Sequence, residues 1–265
     1  ASPRQLNIVS FSQENVHLNP GISTEVASTI ALQSIDLAIY DFKKKHIDVI
    51  VTLPVNKKNI SMTCEKFVGH TEYFSAAFSD TPNIMLLCNN SFKIATLTNH
   101  IPISLVSSKV TRSRVREKIS LLIDVFQKDF VIKKPKIALL SLNPHAGDEG
   151  LIGKEDDEVI LPVVKEFTCA NKFIYGPFPA DAFFGTQSYK KYDAVLALYH
   201  DQALIPFKAL SFGSGVNYTA GLPIIRVSPD HGVAYDIAGK GLASASSLLA
   251  SIYLAIKIHH NRLLN

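Results

Sequence analysis

The stretch from Tyr199 to Ala243 brings His200, Asp201, Lys208, Asn217, Arg226, Asp230 and His231 together among glycines. An arginine and a lysine in one stretch suit a small substrate with more than one anionic group, because arginine offers a fork of donors and lysine a mobile point charge. The imidazoles and carboxylates beside them can move protons or bind a metal. Four histidines, His100, His145, His200 and His231, each follow closely on a segment that reads as a strand. In α/β folds the loops at the carboxyl ends of strands gather the chemistry. His100, His145 and His200 are tens of residues apart, which excludes a compact zinc-finger spacing. A catalytic metal site assembled from separate loops stays open, with imidazole favouring Zn, Co, Fe or Ni over Mg.

Such loops need a scaffold, and hydrophobic periodicity describes one. Residues 24–46 place Val26, Ile30, Ile35, Leu37, Ala38 and Phe42 at helical spacing, and IDVIVTLPV at 47–55 follows as a buried strand. IMLLCN at 84–89 and FKIATLT at 92–98 predict two antiparallel strands joined at Asn89 and Asn90. Thr111 to Phe130 predicts a helix capped by its threonine, and KIALLSLN at 136–143 another buried strand. Residues 155–168 read as a helix whose acidic first turn suits its positive end. Strands are expected at 192–200 and 224–228, then a long apolar helix over 244–264. This alternation predicts an α/β sheet covered on both faces.

Composition narrows the class. A chain of 265 residues, 47% hydrophobic and 19% charged, can bury one large core or two modest ones. The net charge of +4 is spread thinly, apart from Lys43 to Lys45 and the Arg112, Arg114, Arg116 cluster. No nucleic-acid module accompanies it. Apolar stretches fall short of the roughly 20 residues of a membrane helix. The opening ASPRQLNIVSFS has no basic region before an apolar core, so the cytoplasm is the expected compartment. Cys64, Cys88 and Cys169 are odd in number with no close pair, and read as buried small hydrophobes.

A resemblance runs through LPVNKKNI at 53–60, GHTEYF at 69–74, ATLTNHIPI at 95–103, SLNPHAG at 141–147, GPFPAD at 176–181, YHDQ at 199–202 and GVNYTAGLPIIRVSPDHG at 215–232. In this order the motifs resemble the 4-hydroxythreonine-4-phosphate dehydrogenase family of vitamin B6 biosynthesis. The resemblance implies NAD- or NADP-linked oxidation and decarboxylation of 4-phosphooxy-L-threonine to 3-amino-2-oxopropyl phosphate. It implies one divalent ion, Zn, Co or Mg, held by His100, His145 and His200, with the ligands divided between the subunits of a homodimer and His200 expected to cross the interface. The phosphorylated hydroxy amino acid would lie against His70, Thr71, Lys208, Asn217 and Arg226. Asp181 and Asp201 are implied nearby, and Lys208, Asp201 and Asp181 are the candidates for catalytic roles.

HGVAYDIAGKGLA at 231–243 is similar to the loop with which isocitrate and isopropylmalate dehydrogenases bind the adenosine end of their nicotinamide cofactor. That similarity implies a two-lobed α/β/α fold with its active site in the cleft, and cofactor contacts at His231, Gly232, Asp236, Gly239 and Gly241. The lobes are expected at 1–66 with 228–265, and at 67–227. SFGSGVNY lacks the third glycine and the following helix of a Rossmann fingerprint. Plainer readings stand beside these: Gly239 and Gly241 as a tight turn, Thr71 as a helix cap, and Asp201 as a carboxylate that orients His200.

The chain departs from the family pattern in two places. Family members open with a strand and a loop like TPGDPAGIGPE well ahead of the LPVNK region, which here begins at Leu53. The front of the first lobe is therefore expected to be missing from this sequence. Asp148 also stands where the family often has Glu. Two other functions fit these residues: a related dehydrogenase of phosphorylated sugar acids such as 4-phospho-erythronate or threonate, and an inactive relative that only binds metabolites.

Overall fold

The computed structural model describes residues 5–10, 16, 17, 19–64, 67, 69–211 and 213–264. The expected lobe boundary at residue 66 lies outside the described residues. Helix α1 (Glu25–Lys43) is capped by Thr24, whose side chain accepts from the Ala27 amide, and it feeds strand β1 (Val49–Val51). Helices α2 (Lys57–Thr63) and α3 (His70–Ala77) precede the hairpin of β2 (Ile84–Cys88) and β3 (Lys93–Thr96). Asn89 makes that turn, its Oδ1 accepting from the Ser91 and Phe92 amides at 2.6 and 2.8 Å. Next come α4 (Val106–Lys109) and α5 (Arg112–Phe130), with Thr111 capping α5 as expected. Strand β4 (Ile137–Leu140) leads to a π-helical turn at Asp156–Ile160 that runs into α6 (Leu161–Cys169). The chain continues through β5 (Ile174–Phe178), α7 (Ala180–Gly185), β6 (Ala194–Ala197) and α8 (His200–Leu210). Strands β7 (Val216–Ala220) and β8 (Ile225–Pro229) and helix α9 (Ser246–Leu263) complete it.

One eight-stranded mixed sheet joins these strands in the order β1-β8-β7-β2-β3-β6-β4-β5. Strands β3, β6, β4 and β5 are mutually parallel, and β2 is antiparallel to β3 and β7. Because β7 is in turn antiparallel to β8, β8 runs against β3. His100, His145 and His200 therefore leave at one edge of the sheet, and His231 at the opposite edge.

Side-chain alternation sends Ile84, Leu86 and Leu97 to a core shared with Ile119, Phe126 and Ile258 of α5 and α9. The other face packs Leu87 and Ile94 with Phe92, Phe183, Tyr189 and Phe207. A third cluster, Ile35, Ile39, Ile50, Ile60 and Phe74, fastens α1, α2 and α3 to β1. The result is the two-lobed α/β/α arrangement.

Three expectations need correction. The strand read over 192–200 stops at Ala197, and His200 instead opens α8, a helix hidden in the sequence by its internal Pro206. The segment 155–168 begins as a π turn and not as a regular helix. Strand β7 was absent from the sequence reading although VNYTA alternates correctly. Among the described residues no helix is long and apolar enough to cross a membrane.

A buried ionic knot ties α9 to the rest. Asp129, at the end of α5 and 1% exposed, takes Arg262 Nε at 2.6 Å and the Tyr218 hydroxyl at 2.5 Å. Arg262 also donates to the Pro223 carbonyl at 2.8 Å. Removing one partner leaves an uncompensated buried charge, worth about 3–5 kcal/mol. We expect Asp129→Ala to lower unfolding free energy by that amount, measured by urea denaturation; a change below about 1 kcal/mol would show that the knot is dispensable.

Candidate functional site

Alternation on the central strands also builds the floor of a cleft. Met85, Leu87, Asn217, Arg226 and Ser228 share one sheet face through the registers Leu87↔Asn217, Asn217↔Ser228 and Thr219↔Arg226. Above them lies a cleft of about 300 Å³ walled by His70, Thr71 and Glu72 of α3, by His200 and Lys208 of α8, and by His100, Asp230, His231 and Gly232. Gly215 makes room for this wall, since a Cβ there would lie 2.2 Å from the Asp230 carboxylate.

Arg226 sets the electrostatics. It is 3% exposed, and its Nε and Nη2 donate to Thr52 Oγ1 at 3.1 and 2.7 Å while Nη1 donates to Thr219 Oγ1 at 3.0 Å. Phe74 lies under the guanidinium, 5.8 Å from ring centroid to Cζ. Two hydroxyls take three of its five N–H donors without neutralising its charge, and burial pulls its pKa down to about 10. Burial first, then the charges of Arg226 and Lys57, push His70 down to about 3 and keep its imidazole neutral. Two buried polar atoms here have no partner among the described residues, His70 Nε2 and Asn217 Oδ1. Both residues line the cleft, where a bound group with donors and acceptors would complete them. Helix α3 adds its positive end, because Gly69 at its N-cap offers no side-chain hydrogen bond. Thr71 is thus a first-turn residue and not the cap that the sequence suggested.

In the same cleft, the rings of His100 and His200 lie 5.6 Å apart between centroids. Nδ1 of His200 faces Asp201 Oδ1 at 2.7 Å, and Nδ1 of His100 lies 3.8 Å from Glu72 Oε1. Contact with His100 is the main cause that holds the Glu72 carboxyl below its ordinary range, against the opposing pull of burial. The Asp201 carboxylate beside Nδ1 of His200 favours the proton there and leaves Nε2 its lone pair, which is how metal-binding imidazoles are oriented. Among the described residues of this one chain, no three His, Cys, Asp or Glu side chains converge closely enough to hold a metal ion.

The cleft therefore collects His70, Thr71, His100, His200, Lys208, Asn217, Arg226, His231 and Gly232. Asp201 lines the hollow behind the histidine pair. His145 and Asp181 are exposed outside the cleft, beyond the neighbouring strands β4 and β5. The rings of His100 and His200 meet within one chain, and His145 lies apart from them. Asp236, Gly239 and Gly241 lie on an exposed loop, the two glycines at φ of +75° and +69°. Lys57, Glu72 and Thr52 were missed as site residues. Lys57 lay in plain view inside LPVNKKNI, but nothing in its spacing says that α2 points its first residue at His70.

The neutral His70 has a stability consequence. The unfolded chain takes up a proton as pH falls through about 6.5, while the folded chain resists until about 3. Acid therefore favours unfolding across that window, with a slope of at most about 1.4 kcal/mol per pH unit from this group. Urea denaturation between pH 7 and 4 should show a shallower loss of stability in His70→Asn than in the parent. Identical slopes would mean that His70 is not held neutral.

Comparisons with known proteins agree in sequence and in structure. The family model for pyridoxal phosphate biosynthetic protein PdxA matches residues 1–255. A 4-hydroxythreonine-4-phosphate dehydrogenase of Bacteroides thetaiotaomicron is 43% identical over 263 residues, covering 99% of this chain and 72% of the relative. Another, from Sulfurihydrogenibium sp., is 40% identical over 242 residues, 91% of this chain and 74% of its own. The crystal structure of the Klebsiella pneumoniae 4-hydroxythreonine-4-phosphate dehydrogenase matches with a TM-score of 0.79 at 34% identity, covering 91% of this chain and 73% of that one.

Proposed function

Because this chain belongs to the pyridoxal phosphate biosynthetic protein PdxA family, we propose that it is an NAD(P)-dependent 4-hydroxythreonine-4-phosphate dehydrogenase. One observation carries the substrate class: Arg226 is buried with no carboxylate hydrogen-bonded to it among the described residues, beside a neutral His70 whose Nε2 has no partner there. A phosphate dianion supplies the missing charge, and its oxygens can accept from His70, Thr71 and the α3 amides. Lys208 is exposed, and its Nζ is held only at 3.3 Å from the Asp230 carbonyl, so it is free to swing toward the substrate's carboxylate and to carry a proton. Asp201 is already engaged by His200 and orients it. NAD or NADP would lie along the 231–243 loop, with His231 and Gly232 toward the cleft and Asp236, Gly239 and Gly241 at the outer end. When bound it accepts the hydride.

His100 and His200 make two-thirds of a tetrahedral site's usual three protein ligands, with their Nε2 atoms available. We infer that His145 of a second copy provides the third, in a homodimer, and that Asp181, beyond the adjacent strand, comes with it. Zn, Co or Mg held there supplies Lewis acidity to a substrate oxygen. The lobes are read as 1–66 with 228–265 and 67–227, the cleft lying between them.

The decisive assay follows NAD(P) reduction with 4-phosphooxy-L-threonine beside 4-phospho-D-erythronate. Strong preference for the first is expected, and preference for the second would transfer the chain to the sugar-acid dehydrogenases. Arg226→Ala should lose about two to three decades in kcat/KM, a transition-state loss of about 3–4 kcal/mol.

Subunit sharing has its own check. Mixing His145→Ala with His200→Ala subunits should restore about a quarter of full activity, since half of the random dimers carry one complete site. His100→Ala with His200→Ala should restore none. Recovery in both mixtures would make His200 the crossing ligand, and recovery in the second alone would make it His100.

A further inference from the structure

We propose that Asp156, assisted by Glu155, is the positioning residue that fixes His145 for metal binding, an inference that rests on the reading of His145 as a ligand. Residues 145–150 all adopt positive φ, between 46° and 89°. Four of them, His145, Ala146, Asp148 and Glu149, are L residues in the left-handed region that only glycine enters freely. A run of this kind persists only where its surroundings over-determine it.

Two carboxylates anchor the chain immediately before this run. Asp156 is completely buried and accepts from the Leu142 amide at 2.7 Å, the Asn143 amide at 2.9 Å and Asn143 Nδ2 at 3.1 Å. Glu155 Oε2 accepts from the same Asn143 Nδ2 at 2.9 Å, and its Oε1 takes the Ser107 hydroxyl at 2.6 Å. Gly147 seals the arrangement, since a Cβ there would lie 2.6 Å from the Gly153 carbonyl oxygen.

The acidic start of this segment therefore also serves the loop before it. No side chain caps the π turn, and both carboxylates point back at the residues before His145. The turn itself is of a kind that concentrates at functional sites. Ser107 belongs to α4, which follows His100, so the bonds Ser107–Glu155–Asn143–Asp156 also tie the two ligand-bearing segments together. Each chain thus carries His145 and the His100–His200 pair at a fixed separation, as a symmetric pair of shared sites needs.

The test measures zinc affinity of the intact protein by competition with a chromophoric chelator, and the absorption spectrum of the cobalt-loaded form. Asp156→Asn should weaken zinc about 10- to 100-fold, the usual cost of losing an outer partner, and alter the cobalt bands. Glu155→Gln, which leaves the buried carboxylate in place, should weaken zinc by a smaller factor and carries the test if Asp156→Asn does not fold. Neither substitution should weaken zinc further in a His145→Ala background. Unchanged affinity in both single variants, with His145→Ala clearly weakened, would overturn the brace alone. Equal losses with and without His145 would also overturn it, because the effect would then be general loosening. If His145→Ala itself binds zinc normally, the ligand reading fails and the brace with it.

Discussion

Taking a guanidinium out of water costs several kcal/mol even after the surroundings relax, and Arg226 is held in that condition by three neighbouring strands. Thr52 follows β1, Thr219 lies in β7, and Arg226 itself lies in β8 between them. The strand order is what makes this possible, because two hydroxyls from flanking strands grip the donors while Phe74 of α3 covers the plane. The unneutralised charge then acts on everything near it. It helps keep His70 neutral, it makes an anion the natural occupant of the cleft, and it couples occupancy to folding, since whatever binds only the folded state stabilises it by mass action.

Much of the site was legible in the residue pattern, and for identifiable reasons. Lys208, Asn217 and Arg226 sit in a segment whose density of polar residues among glycines has no use in a plain core. Periodicity found α1, α5, α9 and the β2–β3 hairpin, since each is long or bounded by strong turn chemistry. It failed at α8, where Pro206 mimics a boundary, and at the π turn, where the charge pattern of a helix start hides carboxylates that serve a loop.

Direction was the larger gap. Four strands followed by four histidines suggested a single convergence, but periodicity carries no sign, and the antiparallel pairings of β2 reverse β8 relative to β3. His231 reaches the cleft from the opposite edge to His100 and His200, so the site spans the sheet's face and is not confined to one rim. Nor does periodicity say that the rings of His100 and His200 meet, because which histidines meet depends on how adjacent strands stack their loops.

The sheet's connectivity bears on how the chain must be made. Val49 pairs with Ile225, and Ile94 with Val195, so β1 waits for β8 before it is paired. Contacts this remote in sequence form slowly, since a long loop must close before any pairing compensates for it. During synthesis α1, β1 and α2 emerge long before β8, with Ile35, Ile39, Ile50 and Ile60 lacking part of their cover until Leu222 and Ile224 arrive to complete their cluster. That nascent stage is the interval in which this protein most needs shielding from its neighbours.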